Sequence, residues 1–425
     1  MKKILSTRLA KTLGPGILMA GAAIGVSHLV QATRAGADYG FSLWWALALA
    51  CISKYPFLEF GSRYAAAAGE NMIEGYRKMG KGAFPVFTLL TVLTMFIILA
   101  SVTLVTAGLA EHLFGLGLSV WIWSLIVLAF CVLLISLGRF AILDKTMKII
   151  IASLSILTLF AVVLAFGKPA SYEAFSKSPP SFLTAAGVAF VISFMGWMPI
   201  PLDSSVWQSI WARERFRQTG YQPTVREALT DFKIGYFVAV FIGILFFLLG
   251  VLVMFGKGNS FPAGSIAFSS TLVDMYGHAL GTWSRPVISI AAFVAMFSTT
   301  LAVTDIYPRL MVKIAGSYNK MEVPLKIGPK SMKRIYWGFL LLVPAVSLLI
   351  LAFLKGSFTR LIDFATALSF LSSPILGWYN LKLITSKLVP EAARPGRGYV
   401  LFSWLMIAFL VVFSGIYLYW RYFAG

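Results

Sequence analysis

Three side chains in this sequence could hold a transition-metal ion or orient a polar solute: His28, Met198 and Asp203. A neutral imidazole is a common ligand for such ions. A thioether selects softer ones, and a carboxylate serves harder ones. None of the three belongs to a spaced ligand motif, but each sits where an apolar run is interrupted. The first interruption lies in the stretch from Gly14 to Asp38, where Gly25, Ser27 and His28 break an otherwise apolar segment, with Arg34 and Asp38 beyond. In the second, Phe182 to Met198 is apolar, Pro199-Ile200-Pro201-Leu202-Asp203 interrupts, and Val206-Trp207 resumes. Two prolines one residue apart cannot continue a regular helix, because each lacks an N–H and crowds the preceding turn. An opened helix leaves carbonyls and amides unpaired, which a bilayer tolerates only inside protein or beside a cavity.

Each residue also has a plainer reading, and both readings stay open. His28 could be a polar group satisfied by a neighbouring helix. Asp203 could be the N-cap of the resumed helix, since Asp before Ser-Ser is a favoured start. Met195 and Met198 lie in a run with Phe194 and Trp197, where such residues usually pack. Gly21 and Gly25, four apart, suit a close helix contact. Arg34 and Asp38 share a helix face and suggest a local ion pair. Lys54 and Glu59, toward one end of the second span, suggest snorkelling or mutual pairing. Asp305 and Arg309 suggest an ion pair at a helix end. Asp363, early in the tenth span, is expected to face a pathway, as intramembrane carboxylates do.

The elements that must position these groups are membrane spans. Hydrophobic residues make up 59% of 425 positions and charged residues 12%, which places the chain among polytopic membrane proteins. About eleven spans are read at 12–38 (broken), 40–62, 83–110, 119–138, 146–166, 181–213 (broken), 229–255, 284–306, 335–354, 358–381 and 398–422. The net charge of +20 is topological rather than a nucleic-acid footprint. Most Lys and Arg fall on one set of loops: Lys2, Lys3, Arg8 and Lys11; Arg63, Arg77, Lys78 and Lys81; Arg139, Lys145 and Lys148; Arg213 to Lys233; Arg309 to Arg334; and Lys382 to Arg397. The positive-inside rule then puts the N-terminus in the cytoplasm, of a bacterial inner membrane, and the C-terminus outside. The expected partners are membrane lipid and a small-molecule or ion substrate, with no nucleic acid and no cofactor. The first apolar run lacks the form of a cleaved signal peptide. Cys51 and Cys131 lie within spans, so neither a disulfide framework nor a zinc site is implied. No Walker-type phosphate loop occurs, which argues against ATP-driven transport by this chain alone.

The two breaks fall in the first and sixth spans, five apart. That is the signature of a five-plus-five inverted repeat with its site at the midplane. The chain reads as one transmembrane domain over 1–425: a first repeat at about 12–166, a second at about 181–381, and an additional helix at about 398–422.

Gly14-Pro15-Gly16, followed at helical distance by Ala35-Gly36-Ala37-Asp38-Tyr39-Gly40, resembles the opening helix of the NRAMP family of divalent-metal transporters. Met198-Pro199 in the sixth span and Leu368-Ser369-Phe370 in the tenth resemble that family too, and the likeness covers nearly the whole chain. It implies an all-α LeuT-type fold and proton-coupled uptake of manganese or iron. The family's Asp-Pro-Gly-Asn motif falls on Gly25-Val26-Ser27-His28, and its Met-Pro-His motif on Met198-Pro199-Ile200. A Gln of its tenth span falls on Leu371, and the acidic pair of its third on Leu99 and Val102. Most family metal ligands are thus replaced, and the family's proton route is expected to be unused. His28, with an ordinary pKa of about 6.5, becomes the nearest candidate for any pH response.

Three classes of function follow. The first is a secondary transporter of a divalent cation, as the resemblance implies. The second is a same-fold transporter of an organic cation or small polar solute, with volume vacated at Gly25 and Ile200 and aromatic faces from Trp197 and Trp207. The third is a non-transporting sensor or an enzyme. No nucleophile–base constellation occurs, and the only histidines are His28, His112 and His278, so catalysis is not expected. The candidate substrate-binding residues are Gly25, Ser27, His28, Met195, Met198, Ile200, Asp203 and Leu371, with His28, Met198 and Asp203 as candidate metal ligands.

Overall fold

The computed structural model describes residues 11–80, 82–138, 140–168, 177–257, 260–318, 328–353 and 358–423. Helices form on every stretch read as a span. The first is α1 (Pro15–Ala23), then a π-helical segment (Ser27–Ala32), then α2 (Thr33–Tyr39). Pro15 suits the first helical position, where an N–H would have no partner anyway. Next come α3 (Trp44–Ala68), the short α4 (Met72–Lys78), α5 (Ala83–Phe114), α6 (Val120–Ser136) and α7 (Phe140–Phe166). The second interrupted stretch gives α8 (Ala185–Trp197) and α9 (Ser204–Thr219), followed by α10 (Val225–Val253) and α11 (Ser265–Leu280). The chain closes with α12 (Ser284–Tyr318), α13 (Pro329–Phe353), α14 (Phe358–Ile384) and α15 (Arg397–Tyr422). No strand occurs among the described residues.

Seven helical stretches are long and apolar enough to cross a membrane; one of them, Ser27–Ala68, runs from the first interrupted stretch through α3. Val120–Ser136, Ala152–Phe166 and Ala185–Trp197 are shorter apolar helices. Helix α11 is an addition to the sequence reading. It lies beside α5 and α7 and buries Phe268, Leu272, Val273 and Tyr276.

The interrupted helices pack reciprocally. Near the start of α1, a Cβ on Gly235 of α10 would come within 1.9 Å of the Gly16 carbonyl, so the two backbones touch. Near the start of α9, a Cβ on Gly61 of α3 would come within 2.1 Å of the Ser205 carbonyl. Glycine is required at both places, as at small-residue contacts between membrane helices. Each broken helix therefore rests a half on an unbroken helix of the other half of the chain. The Asp231 carboxylate of α10 completes the first contact, accepting from the Gly14 N–H at 2.9 Å and the Gly16 N–H at 2.7 Å.

Charged groups mark two ends. At one, Arg215 donates to the Lys11 carbonyl and Arg63 to that of Ala393. At the other, Lys168 donates to the carbonyls of His278 and Ala279, and Lys177 to that of Gly256. The expected Asp305–Arg309 pair is present at 2.7 Å. Two other expected pairs are replaced. Arg34 pairs with Asp363 of α14 at 2.8 Å instead of Asp38. Glu59 pairs with Arg63 at 2.6 Å and accepts from the Tyr399 hydroxyl at 2.5 Å, while Lys54 turns to α8. At Arg34 a partner across packed helices replaces the sequence neighbour, whereas Glu59 takes a neighbour one turn along its own helix. Lys2, Lys3, Arg8, Lys81, Arg139, Lys320 and Lys326, and the side chains of Lys145 and Lys148, lie outside the described residues. Cys51 and Cys131 are free and buried.

Candidate functional site

Both interruptions are local consequences of the sequence. After Ala23 the chain leaves helical geometry at Ile24, the Gly25 N–H donates back to the Ala23 carbonyl at 2.8 Å, and the chain rewinds as the wider segment carrying Ser27 and His28. After Trp197, Met198 is extended (φ −85°, ψ 129°) and the Met198–Pro199 peptide is cis. The helix resumes at Ser204, whose N–H donates to the Pro201 carbonyl at 3.1 Å. The two openings meet: Ser27 Oγ lies 3.5 Å from the Pro199 carbonyl oxygen.

Between them is a cavity of about 30 Å³, bounded by Ala23, Val26, Ser27, Trp197, Ile200 and Trp207, and by Ile98 and Val102 of α5 and Thr299 and Val303 of α12. A cavity of roughly 10–15 Å³ already admits a water molecule, so this one is a small chamber with room for little more than water. Its wall is apolar apart from the hydroxyls of Ser27 and Thr299 and the two indoles. The indole N–H of Trp207 is buried with no acceptor in the protein, and the hydroxyl of Tyr307, whose ring meets Trp207 edge-on at 5.8 Å, is likewise unpartnered. Buried donors are normally satisfied, so an orphan in a chamber wall marks a place for a polar guest.

The other candidates divide. His28 is fully buried. Its Nε2 lies 2.9 Å from the Ala239 carbonyl, which can only accept, so Nε2 carries the hydrogen. Its Nδ1 lies 2.7 Å from Ser27 Oγ. Both ring nitrogens are thus engaged within the protein. Met198 is fully buried, and its thioether shares with His28 Nε2 the space in front of Gly243 on α10. Met195 is fully buried in the core. Asp203 stands at the N-cap position of α9 without a side-chain capping hydrogen bond. It borders a second, smaller cavity of about 10 Å³ with Thr91, Thr94, Ser369 and Ser372. Leu371, on α14, is half-buried and borders neither cavity. Leu99 is buried, and Val102 faces the chamber. The structure thus brings Ser27, Ile200 and the two tryptophans to one place, His28 and Met198 to a second, and Asp203 to a third, while Gly25 packs against Thr299 and does not line the chamber. Among the described residues no group of three or more His, Cys, Asp or Glu is placed to hold a metal ion.

Two features escaped the sequence reading. Lys54 of α3 is fully buried, and its ammonium donates to the carbonyls of Met195 at 2.6 Å, Gly196 at 2.6 Å and Met198 at 3.1 Å. A polar tie also links the first interrupted helix to α8 and α14. Gln31 donates to Ser193 Oγ at 2.7 Å and to Asp363 at 3.0 Å, and accepts from Arg34 at 2.9 Å. Arg34 covers the Phe190 ring at 4.9 Å. His28, Gln31 and Arg34 are spaced three apart, a single helical face that was readable in advance.

The sequence profile of the family described as natural resistance-associated macrophage protein-like (Nramp) matches residues 16–420. A relative from Pasteurella multocida (strain Pm70), described as uncharacterized protein PM0681, is 33% identical over 382 residues, covering 88% of this chain and 84% of its own. Among solved structures, a manganese transporter of Eremococcus coleocola is similar, with a TM-score of 0.69 and 14% identity over 97% of this chain and 86% of that one. So is MHP1, a nucleobase-cation-symport-1 family transporter bound to bromovinylhydantoin, with a TM-score of 0.61 and 16% identity over 97% and 91% of the two chains. MhsT in complex with L-phenylalanine gives a TM-score of 0.59 and 14% identity over 94% and 98%.

Proposed function

The chain belongs to the Nramp family, and from that premise we propose a secondary transporter that carries a small polar organic solute by alternating access, not a bare divalent ion. The coarser part is plain: this is an integral membrane protein of a transporter family, with a LeuT-type helical fold. The choice of cargo rests on the wall of the chamber between the two breaks. The unpartnered indole N–H of Trp207 suits a compact solute bearing a hydrogen-bond acceptor, while the hydroxyls of Ser27 and Thr299, which already donate to the carbonyls of Ala23 and Ala295, keep lone pairs that can accept from it. Manganese favours oxygen donors, carboxylates above all, and no carboxylate borders this chamber.

Charge supports the same choice. Three acceptors around Lys54 Nζ call for three N–H donors, which only the ammonium form has. That fixed positive charge beside the second break disfavours a dication close to it. Alternating access would open the small chamber toward one side at a time, through the polar tie at Arg34–Asp363 or past Asp203. The basic residues gathered around Lys11, Arg63 and Arg215 support a cytoplasmic N-terminus, and the Pasteurella multocida relative supports a bacterial inner membrane as its place.

A divalent cation as cargo is the second reading, favoured by the likeness to a manganese transporter. A thermal-shift screen of the purified protein separates the two, because a ligand that binds only the folded state raises the melting temperature. Small amides, neutral amino acids and nucleobase-like solutes are compared with manganese chloride. Stabilisation by an organic solute and none by manganese is expected; the reverse would overturn the proposal.

A further inference from the structure

The last carbonyls of a helix have no intrahelical partners and lie at the negative end of its dipole. Broken-helix transporters use such ends, together with unwound carbonyls, to coordinate a cation. Here that seat is the end of α8, where the carbonyls of Met195, Gly196 and Met198 converge. It is already filled. Lys54 reaches it from the middle of α3, is fully buried, and spends all three N–H donors on the three carbonyls. Asp203, beyond the break, lies within electrostatic reach of the same ammonium.

We propose that the Lys54 ammonium is a tethered cation that permanently occupies the carbonyl seat at the end of α8, so that the break takes up no free cation and its removal opens a cation site. The inference rests on reading the chain as a broken-helix transporter. Its readout is binding, however, so a failed cargo assignment and a failed cation seat give different results. A snorkelling lysine would carry its head to water, whereas this one ends in the core at the point where the helix is open. The carbonyls remain when the side chain is cut away, and the removed stem leaves a cavity beside them.

The test compares the parent with Lys54→Ala in detergent, at constant ionic strength, in sodium, potassium, manganese, n-propylammonium or choline chloride. The parent melting temperature should be the same in all five salts. Lys54→Ala should melt lower in choline, which has no N–H to donate, and recover a few degrees, saturably, in n-propylammonium or one of the metal ions. Lys54→Met, which fills the volume without the charge, should stay low in every salt. The proposal is overturned if the parent binds sodium, potassium or n-propylammonium saturably and as tightly as Lys54→Ala does; manganese binding shared equally by the two proteins counts against the cargo assignment instead. It is overturned equally if no salt restores Lys54→Ala, including the case in which that variant folds in none of them. Full parental stability of Lys54→Met would reduce Lys54 to packing and also refute it.

Discussion

Asp203 occupies the cap position of α9 but makes no capping hydrogen bond, and it borders a small polar cavity instead. A lost cap typically costs about 0.5–2 kcal/mol; with no cap bond present, Asp203→Ala should cost less than that, and Asp203→Asn little. The negative charge, within reach of Lys54, is what the site would lose. Both variants should therefore fold with near-parental melting temperatures and lose most transport. Parental transport by Asp203→Asn would return the residue to a structural role. Sequence located Gly25, Ser27 and His28 correctly at a break, because helix-weakening residues there are visible one by one. It could not see that a Cβ on Gly25 would meet Thr299 Oγ1 at 2.9 Å. An aspartate at this position requires the Thr299 side chain to shift. Lys54 was misread for a related reason: position along a helix says nothing about an open helix end on a neighbour.

At the scale of elements, both interruptions were legible, since paired prolines and a Gly-Ser-His cluster stop regular hydrogen bonding wherever they occur. Helix α11 was not. Its polar face and short length give it the composition of a loop until α5 and α7 cover its apolar side. The tie between α2 and α14 was equally hidden, because Arg34 and Asp363 are 329 positions apart. Arg34 is nearly buried, with a side-chain exposure of 11% against 32% for Asp363. Hydrogen bonds to charged groups contribute about 1.5–3 kcal/mol, and partial exposure places this pair toward the lower end. A double-mutant cycle of Arg34→Gln and Asp363→Asn, read by thermal or denaturant unfolding, should give a coupling of about 1–2 kcal/mol. Additive single effects would mean that the pair does not hold these elements together.

At the scale of the molecule, the reciprocal packing of α1 on α10 and α9 on α3 gives the two broken helices opposite orientations about one chamber. Arg217 and Lys257 should then lie on opposite faces of the membrane. Single cysteines placed there, against the buried Cys51 and Cys131, should be labelled by an impermeant reagent from opposite sides, Lys257→Cys from outside. Labelling of both from one side would refute this topology. The positions of the helices and of the breaks were legible because apolar length and backbone pairing constrain sequence directly, though only seven of the helical stretches are long and apolar enough to cross a membrane. The cargo was not, since it depends on which side chains converge from α5, α8, α9 and α12. The most direct test of the account is manganese influx into proteoliposomes containing a trapped metal-sensitive dye, with an Nramp manganese transporter as the positive control. The account predicts influx no faster than in protein-free vesicles, at any imposed pH gradient. Saturable manganese influx above that background would contradict it.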